Sequence, residues 1–461
     1  MRAHEAGALH GELGAGGPGW LRTPDDVNAL VPQLWPRGVA RAADGALAVG
    51  GLGVRAIAEE FGTPAYVLDE DDLRSRCREF RAAFPDEDIY YAGKAFLCRA
   101  VVKIIAEEGL HLDVCTGGEL AVALSAGMPP ERIGFHGNNK SMSELTRAVD
   151  ARVGRIIVDS FTEIDRLTAL ARERGVRPRV LVRVTVGVEA HTHEFIATAH
   201  EDQKFGFSLA GGAAFQAAVK ILDEDVLELR GLHSHIGSQI FDTSGFEVSA
   251  RRVLALQAQL RDARGVELPE LDLGGGFGIA YTTSDDPAPP HDLAKRLDKI
   301  VDGECAALKL TVPHLSIEPG RAIIGPAVFT LYQVGTVKDV DGLRSYVSVD
   351  GGMSDNIRTA LYDASYSATI ASRASAAGPI LARVVGKHCE SGDIVVKDEF
   401  LPADVQPGDL LAVPGTGAYC RSMASNYNHV PRPPVVAVRD GQARVIVRRE
   451  TEDDLLALDV G

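Results

Sequence analysis

Residues 89–116 read IYYAGKAFLCRAVVKIIAEEGLHLDVCT. The stretch opens on an apolar and aromatic run, IYYAGKAF (89–96), passes through a segment that reads as a helix, and closes on a second run, LHLDVCT (110–116). Strand, helix and strand in so short a span are the repeating unit of a parallel sheet, because two parallel strands need a crossover between them. Working outward, similar runs recur at RIGFHG (132–137), RIIVDS (155–160), RVLVRVT (179–185), LRGLHSHIG (229–237), LDLGGGF (271–277) and LSIEPGR (315–321). The intervening segments read as helices. SMSELTRAV (141–149) starts on Ser141 with Glu144 three residues on, the reciprocal capping pattern. SFTEIDRLTALARERG (160–175) keeps apolar residues at helical spacing and ends in glycine. Eight such strands predict a (β/α)8 barrel of TIM type. An open doubly wound sheet is the rival, but there only the strands at the switch point would carry a site. Here polar residues close nearly all eight runs, as they do where the strand ends converge on one mouth.

Beyond about residue 325 the texture changes. AVFTLYQVGTV, RSYVSVDGG, ILARVVGKHC, DIVVKDEFL, DLLAVPGTGAY and PPVVAVRDGQARVIVRRE read as strands divided by turn signals, among them Asp440-Gly441. The expected organisation is a loose Gly-, Ala- and His-rich leader over 1–30, a segment over 31–54 that packs with the later β domain, a barrel over 55–325, and an all-β C-terminal domain over 326–461. At 461 residues, 45% hydrophobic and 24% charged, the chain has an ordinary globular composition. A formal charge of −16 argues against a nucleic-acid binder, which needs a basic footprint. No apolar run is long enough to span a membrane, and the N-terminus lacks the apolar core of a secretory signal. The six cysteines are scattered with no CxxC pair, so reduced thiols in a cytoplasmic protein are expected.

The chemistry begins with lysine. There are 11 lysines against 37 arginines, and Lys94 stands out at a strand end among apolar and aromatic neighbours. Partial burial there would lower its pKa and make the amine a nucleophile fit for a Schiff base. The alternative is a lysine paired with a carboxylate of the next strand, such as Asp113. The run Gly274, Gly275 and Gly276 closes the seventh strand, where backbone amides can cradle a phosphate. A reactive lysine beside a phosphate site suggests pyridoxal phosphate. That cofactor calls for a partner at its ring nitrogen, which Glu318 can supply; the plainer reading of Glu318 is an ion pair with Arg321. His235, nearer the mouth than His233, is a candidate ring-stacking platform. His233 with His235, or His191 with His193, would also suit a metal, but no carboxylate pattern supports one and none is expected.

With these parts in view, the chain resembles the diaminopimelate decarboxylases, pyridoxal-phosphate enzymes of fold type III with an alanine-racemase-like barrel. The matching segments are YYAGKAF, DVCTGGEL, FHGNNKS, EDQKFGF, GLHSHIGSQ, LDLGGGFGI, IEPGR, RTALYDASY, HCESGD and GAY, in consistent order over most of residues 65 to 430. HSH replaces the more common HCH, and RTALY the more common RPALY. The resemblance implies that Lys94 carries pyridoxal 5'-phosphate, with Asp113 nearby, and that His235 stacks on its ring. It implies that Ser238, Gly274, Gly275 and Gly276 hold the phosphate, with Gly320 and Arg321 nearby, that Tyr419 reaches the cofactor, and that Glu318 pairs with the ring nitrogen. Arg321, Arg358 and Tyr362 would bind the remote end of meso-diaminopimelate. Guanidinium groups suit its carboxylate, and Glu390 suits its ammonium; the plain alternative for Arg358 is an ion pair with Asp355 or Asp363. Cys389 is a candidate proton donor, with Lys94 the other. Cys389 and Glu390 are implied to reach each site from the second subunit of a homodimer. The expected reaction is decarboxylation to L-lysine. A decarboxylase of ornithine or arginine is the nearest rival, followed by an alanine racemase, a non-catalytic pyridoxal-phosphate carrier and a metal-dependent barrel hydrolase.

Overall fold

The computed structural model describes residues 17–187 and 203–461. It divides into two compact units, one built from residues 74–278 and 287–323, the other from the described residues up to 73 together with 279–286 and 324–461.

The first unit is a closed parallel barrel. Its strands are β1 (Asp88–Ala92), β2 (His111–Val114), β3 (Ile133–Phe135), β4 (Arg155–Val158), β5 (Arg179–Thr185), β6 (Glu228–His233), β7 (Glu270–Asp272) and β8 (His314–Ile317). Each pairs with the next, and β8 returns to β1 through Ser316 beside Asp88 and Ile317 beside Ile89. All eight expected strands are present, two to five residues shorter at the C-terminal side in most cases, because the polar residues that close each run belong to the mouth loops. The helices start where capping chemistry is available. Ser141 and Glu144 form the full capping box of helix Met142–Ala151. Ser160 caps Phe161–Arg174, which ends on Gly175 in the left-handed region.

The barrel interior is not wholly apolar. Arg155 at the start of β4 is buried, its guanidinium 3.7 Å from the Tyr90 ring centre. It donates to Ser316 Oγ at 2.8 Å and to the Asp272 carboxylate. Asp272 in turn accepts the Gly274 N–H at 2.7 Å. A buried ion pair of this kind is costly to break, because either partner left alone is an uncompensated charge. It ties the middle of the barrel to the glycine turn above β7.

The second unit is β-rich. Its longest strand, Val328–Val340, pairs antiparallel with Ala65–Asp69, Arg344–Val349 and Leu410–Pro414. Pro379–Val385 and Ile394–Pro402 extend the sheet beyond Arg344–Val349. Val435–Arg439 and Gln442–Val447 form a hairpin on the other side of Ala65–Asp69. Its two-residue turn is Asp440-Gly441, both at positive φ, the conformation that matches strand twist and that this residue pair favours. Leu34, Trp35, Leu47, Val49 and Val54 share one buried core with Phe329, Leu331, Val436 and Val438. The helix Val54–Phe61 and strand Ala65–Asp69 belong to this unit, whereas the sequence reading grouped them with the barrel. Strand AYVLD is buried at every position, so periodicity alone does not say which sheet it joins.

Candidate active site

β1 ends at Ala92, and a single 3-10 turn, Gly93–Ala95, turns Lys94 out of the sheet. Lys94 lines a cavity of about 160 Å³ with Asp113, His136, Arg183, His235 and Glu318. The side chain is exposed to that cavity rather than partly buried as expected. Among the described residues no carboxylate pairs with it. Asp113, the carboxylate that the alternative reading pairs with it, faces His136, with Oδ1 3.2 Å from His136 Nε2.

Glu318 follows β8 and is buried. It does not pair with Arg321; its Oε1 lies 3.1 Å from His136 Nε2 and 3.0 Å from His233 Nε2. The two imidazoles meet edge to face with centres 5.1 Å apart. Burial alone would raise the Glu318 pKa, but the two histidines hold it well below the usual carboxylate range. Burial alone would lower that of His136, but the Glu318 and Asp113 carboxylates raise it to about 9. Burial, and then the neighbouring Glu318 charge, push Asp113 up to about 7. His233 is shifted down by burial. These contacts are close but not aligned as hydrogen bonds, so Glu318 Oε1 remains a buried acceptor without an aligned donor. A ring N–H brought into the cavity is the donor such an oxygen lacks.

His235 follows β6. Its Nδ1 accepts the Gly275 N–H at 3.2 Å, which assigns the ring proton of the neutral form to Nε2. Burial, then the charges of Lys94 and Arg183, lower its pKa well below the ordinary value, so it is a neutral, flat surface at physiological pH. The glycine run is shaped by close approach. A Cβ on Gly274, whose φ is +70°, would stand 2.5 Å from the Ser234 carbonyl oxygen, and one on Gly275 would stand 2.2 Å from that of Glu318. No side chain fits at such distances. Two of the three amides expected to face a phosphate are already engaged, Gly274 by Asp272 and Gly275 by His235. Only Gly276 keeps its amide without a protein acceptor among the described residues. Arg321, directly after Gly320, is buried and donates to Ser238 Oγ at 2.8 Å. The structure thus brings together two expected phosphate contacts from distant parts of the chain. A glycine turn that rejects any Cβ, an arginine–serine pair and an unsatisfied buried carboxylate fit a phosphorylated pyridine ring.

The remaining expected residues lie in the β-rich unit. Arg358 opens the short helix Arg358–Tyr362, which places Tyr362 at its end, half-buried. Arg358 is buried, its guanidinium 4.7 Å from the Tyr281 ring centre and hydrogen-bonded to Tyr366 Oη. It pairs with neither Asp355, which accepts from Tyr332 and the Gly352 N–H, nor Asp363, which pairs with Lys397. Its Nε is buried with no hydrogen-bond partner. Cys389 and Glu390 are exposed on the turn between Pro379–Val385 and Ile394–Pro402, where the Cys389 N–H donates to Asn428 Oδ1 at 3.3 Å. Tyr419 holds φ +59°, a conformation a bulky residue adopts only when its surroundings impose it.

The sequence reading missed His136, Arg183, Tyr281 and Tyr366. His136 and Arg183 had a usable signal, a polar residue at or near the end of β3 and β5. Tyr281 and Tyr366 had none, because aromatic residues in loops are commonplace. His191 and His193, the second candidate metal pair, lie outside the described residues, as do the first 16 residues of the leader and Glu201-Asp202 of EDQKFGF. His136, His233 and Glu318 have ligand atoms within 4.8 Å of one another, but the carboxylate and imidazoles already compensate each other's charge.

Comparison with known proteins agrees with this geometry. Residues 70–325 match the family described as pyridoxal-dependent decarboxylase, pyridoxal binding domain. A diaminopimelate decarboxylase of Mycobacterium tuberculosis strain H37Rv is 60% identical over 443 residues, covering 94% of this chain and 98% of its own. One from Bacillus subtilis is 46% identical over 420 residues, covering 90% and 95%. The crystal structure of the M. jannaschii diaminopimelate decarboxylase in complex with L-lysine superposes with a TM-score of 0.87 at 31% identity, covering 93% of this chain and 99% of that one. A Vibrio vulnificus lysine/ornithine decarboxylase shares the fold, with a TM-score of 0.71 at 24% identity over 84% and 97%.

Proposed function

The chain belongs to the diaminopimelate decarboxylase family of pyridoxal-dependent decarboxylases, and from that premise we propose the part each side chain plays. The reaction takes meso-2,6-diaminopimelate to L-lysine and carbon dioxide, with one proton taken up at the carbon that loses its carboxylate. Pyridoxal 5'-phosphate, when bound, supplies the electron sink for the pair left by the broken carbon–carbon bond.

The chain's own groups do the rest. Lys94 provides the amine that anchors the cofactor. Glu318, kept ionised, accepts the ring N–H, and His235 offers its neutral face to the ring, with Asp113 held nearby by His136. Ser238, Arg321 and the Gly276 amide hold the phosphate, while Gly274, Gly275 and Gly320 give the backbone room to approach it. Arg358 binds the carboxylate at the remote end of the substrate, with Arg321, Tyr362 and Tyr419 completing that side, and Glu390 takes the remote ammonium. Cys389 returns the proton. Arg358 carries the specificity argument. A buried guanidinium that no carboxylate among the described residues neutralises is a binding site for an external one, and ornithine has no second carboxylate to offer.

We further propose that two copies of the chain share their active sites, with Cys389 and Glu390 serving the neighbouring subunit. Mixing Lys94→Ala protein with Cys389→Ala protein should then restore a fraction of the lost activity, since the mixed dimer holds one intact site. The cytoplasm is the proposed compartment, consistent with six cysteines of which none forms a disulfide; no helix among the described residues is long and apolar enough to cross a membrane. The primary test supplies pyridoxal phosphate with meso-diaminopimelate or L-ornithine. Lysine from the first and no putrescine from the second is expected. Putrescine would overturn the reading of Arg358 and keep the cofactor site.

A further inference from the structure

We propose that His136 is the positioning residue that holds Glu318 as a carboxylate beneath the bound cofactor ring, supplying the compensating charge while leaving the carboxylate's hydrogen-bonding capacity to the ring nitrogen. The inference rests on the cofactor reading of the site.

A carboxylate as deeply buried as Glu318 takes up a proton unless a cation stands beside it. A protonated Glu318 would donate to the ring nitrogen rather than accept from it, and the ring would be a poorer sink. The nearby charged groups do not share this task equally. Arg155 is committed to Asp272 and Ser316. Lys94 and Arg183 line the cavity but form no ion pair with Glu318 among the described residues. His233 lies 3.0 Å from Glu318 Oε1 but touches that carboxylate alone, and His235 is turned to the Gly275 amide. His136 alone has one nitrogen within 3.2 Å of two carboxylates, Glu318 and Asp113. A buried imidazole between two carboxylates is stabilised as the cation.

The geometry adds a second point. Neither His136 Nε2 nor Glu318 Oε1 has an aligned hydrogen bond, although 3.1 Å separates them. Attraction between charges falls slowly with angle, whereas a hydrogen bond weakens steeply off line. His136 can therefore stabilise the anion from the side without occupying the direction in which the ring N–H must approach. Asp113, 3.2 Å from the same Nε2, adds a second negative charge that favours the imidazolium.

The test uses full-length protein carrying 15N-labelled histidine and loaded with pyridoxal 5'-phosphate labelled with 15N at the ring nitrogen, His136 being assigned by its loss in the variants. Nitrogen NMR reads two things at neutral pH, the protonation of the ring and the charge state of His136. In the wild type both should be protonated. In His136→Phe and His136→Gln the ratio of protonated to unprotonated ring should fall by roughly tenfold or more, the equivalent of a one-unit displacement. His233→Gln should leave it near the wild-type value. Turnover should fall with kcat while KM for diaminopimelate holds. Wild-type His136 found neutral in the loaded protein overturns the proposal without recourse to any variant, so a variant that fails to fold does not protect it. A ring that stays protonated in both His136 variants overturns it too. Wild-type protein that takes up no labelled cofactor would instead defeat the family reading beneath it.

Discussion

The barrel mouth and the loops of the β-rich unit handle buried charge in opposite ways. In the barrel several buried charges stand beside counter-charges: Arg155 with Asp272, Lys140 with Glu163, His136 with Asp113 and Glu318. In the β-rich unit Arg344 and Arg383 are paired with Asp398, but Arg358, as deeply buried, has tyrosine rings and one phenol oxygen as its surroundings. A neutralised network is a preorganised one, set before any ligand arrives. A buried cation without a counter-ion is incomplete until one does. The first unit is thus equipped to hold a resident group in a fixed posture, and the second to discriminate among substrates.

That contrast can be broken at several points. The largest effect is expected at Lys94, which belongs to neither pattern because it is exposed in the cavity and, among the described residues, has no carboxylate partner. Lys94→Ala should lower kcat by ~10³-fold or more and abolish the visible absorbance of lysine-bound cofactor, with the melting curve of cofactor-free protein unchanged. A persisting absorbance would make another lysine the anchor. Next is the buried pair at the barrel centre. Asp272→Ala strands Arg155 and frees the Gly274 amide, and should cost about 3–5 kcal/mol in urea unfolding, with cofactor affinity falling alongside. Asp272→Asn, which keeps the amide contact but loses the charge, should recover the affinity before the stability.

Arg358 probes the other side of the comparison. Replacement by lysine keeps the charge but not the planar fork. The expected loss is roughly ten- to hundredfold in kcat/KM for diaminopimelate, measured by lysine formation, with cofactor affinity unmoved. An equal loss of cofactor affinity would mean that Arg358 supports the fold rather than the substrate.

The sequence showed the barrel more fully than the site. All eight strands of the barrel were legible because each is a short apolar run closed by polar residues, and the Asp440-Gly441 hairpin because its turn chemistry is specific. Strand Ala65–Asp69 was assigned to the wrong unit, since a strand buried on both faces carries no pattern that names its neighbours. In the site, glycines, lysine and glutamate were readable one by one, but their pairings were not. The plain alternatives, Lys94 with Asp113 and Glu318 with Arg321, were drawn from proximity in sequence or on adjacent strands, and both carboxylates lie instead against His136. The third strand delivers that histidine, and nothing in FHGNNKS announces two acidic neighbours. The glycine run suggested three free amides where two are spent on Asp272 and His235. Partnership across a barrel is set by the closure of the sheet, which spacing along one chain does not reveal.

The smallest predicted effect is also the one that separates the two units most directly, because their buried acids and bases titrate in different ranges. His136 has its pKa raised in the fold from 6.5 to about 9. Its contribution to stability is therefore fully present below about pH 6.5 and lost as pH rises through about 9. In the β-rich unit, burial pushes Asp355 up from 3.8 to about 7, so its contribution is lost as pH rises through about 7, and Glu399, also raised by burial to about 7, follows the same course. Asp113 behaves like them, while the lowered pKa of Glu318 acts only below its ordinary value of 4.5. Between pH 7.5 and 9, by order of these ranges, cofactor-free barrel should go on losing protection while the β-rich unit has levelled off. Hydrogen exchange resolved by peptide mass spectrometry reads the two units separately. His136→Gln should flatten the alkaline slope of the barrel peptides and leave the others as they were. Parallel slopes in both units, with or without His136, would show that the network beneath Glu318 is not held together by that imidazolium, and the contrast between a self-compensated mouth and an incomplete arginine site would lose its electrostatic basis.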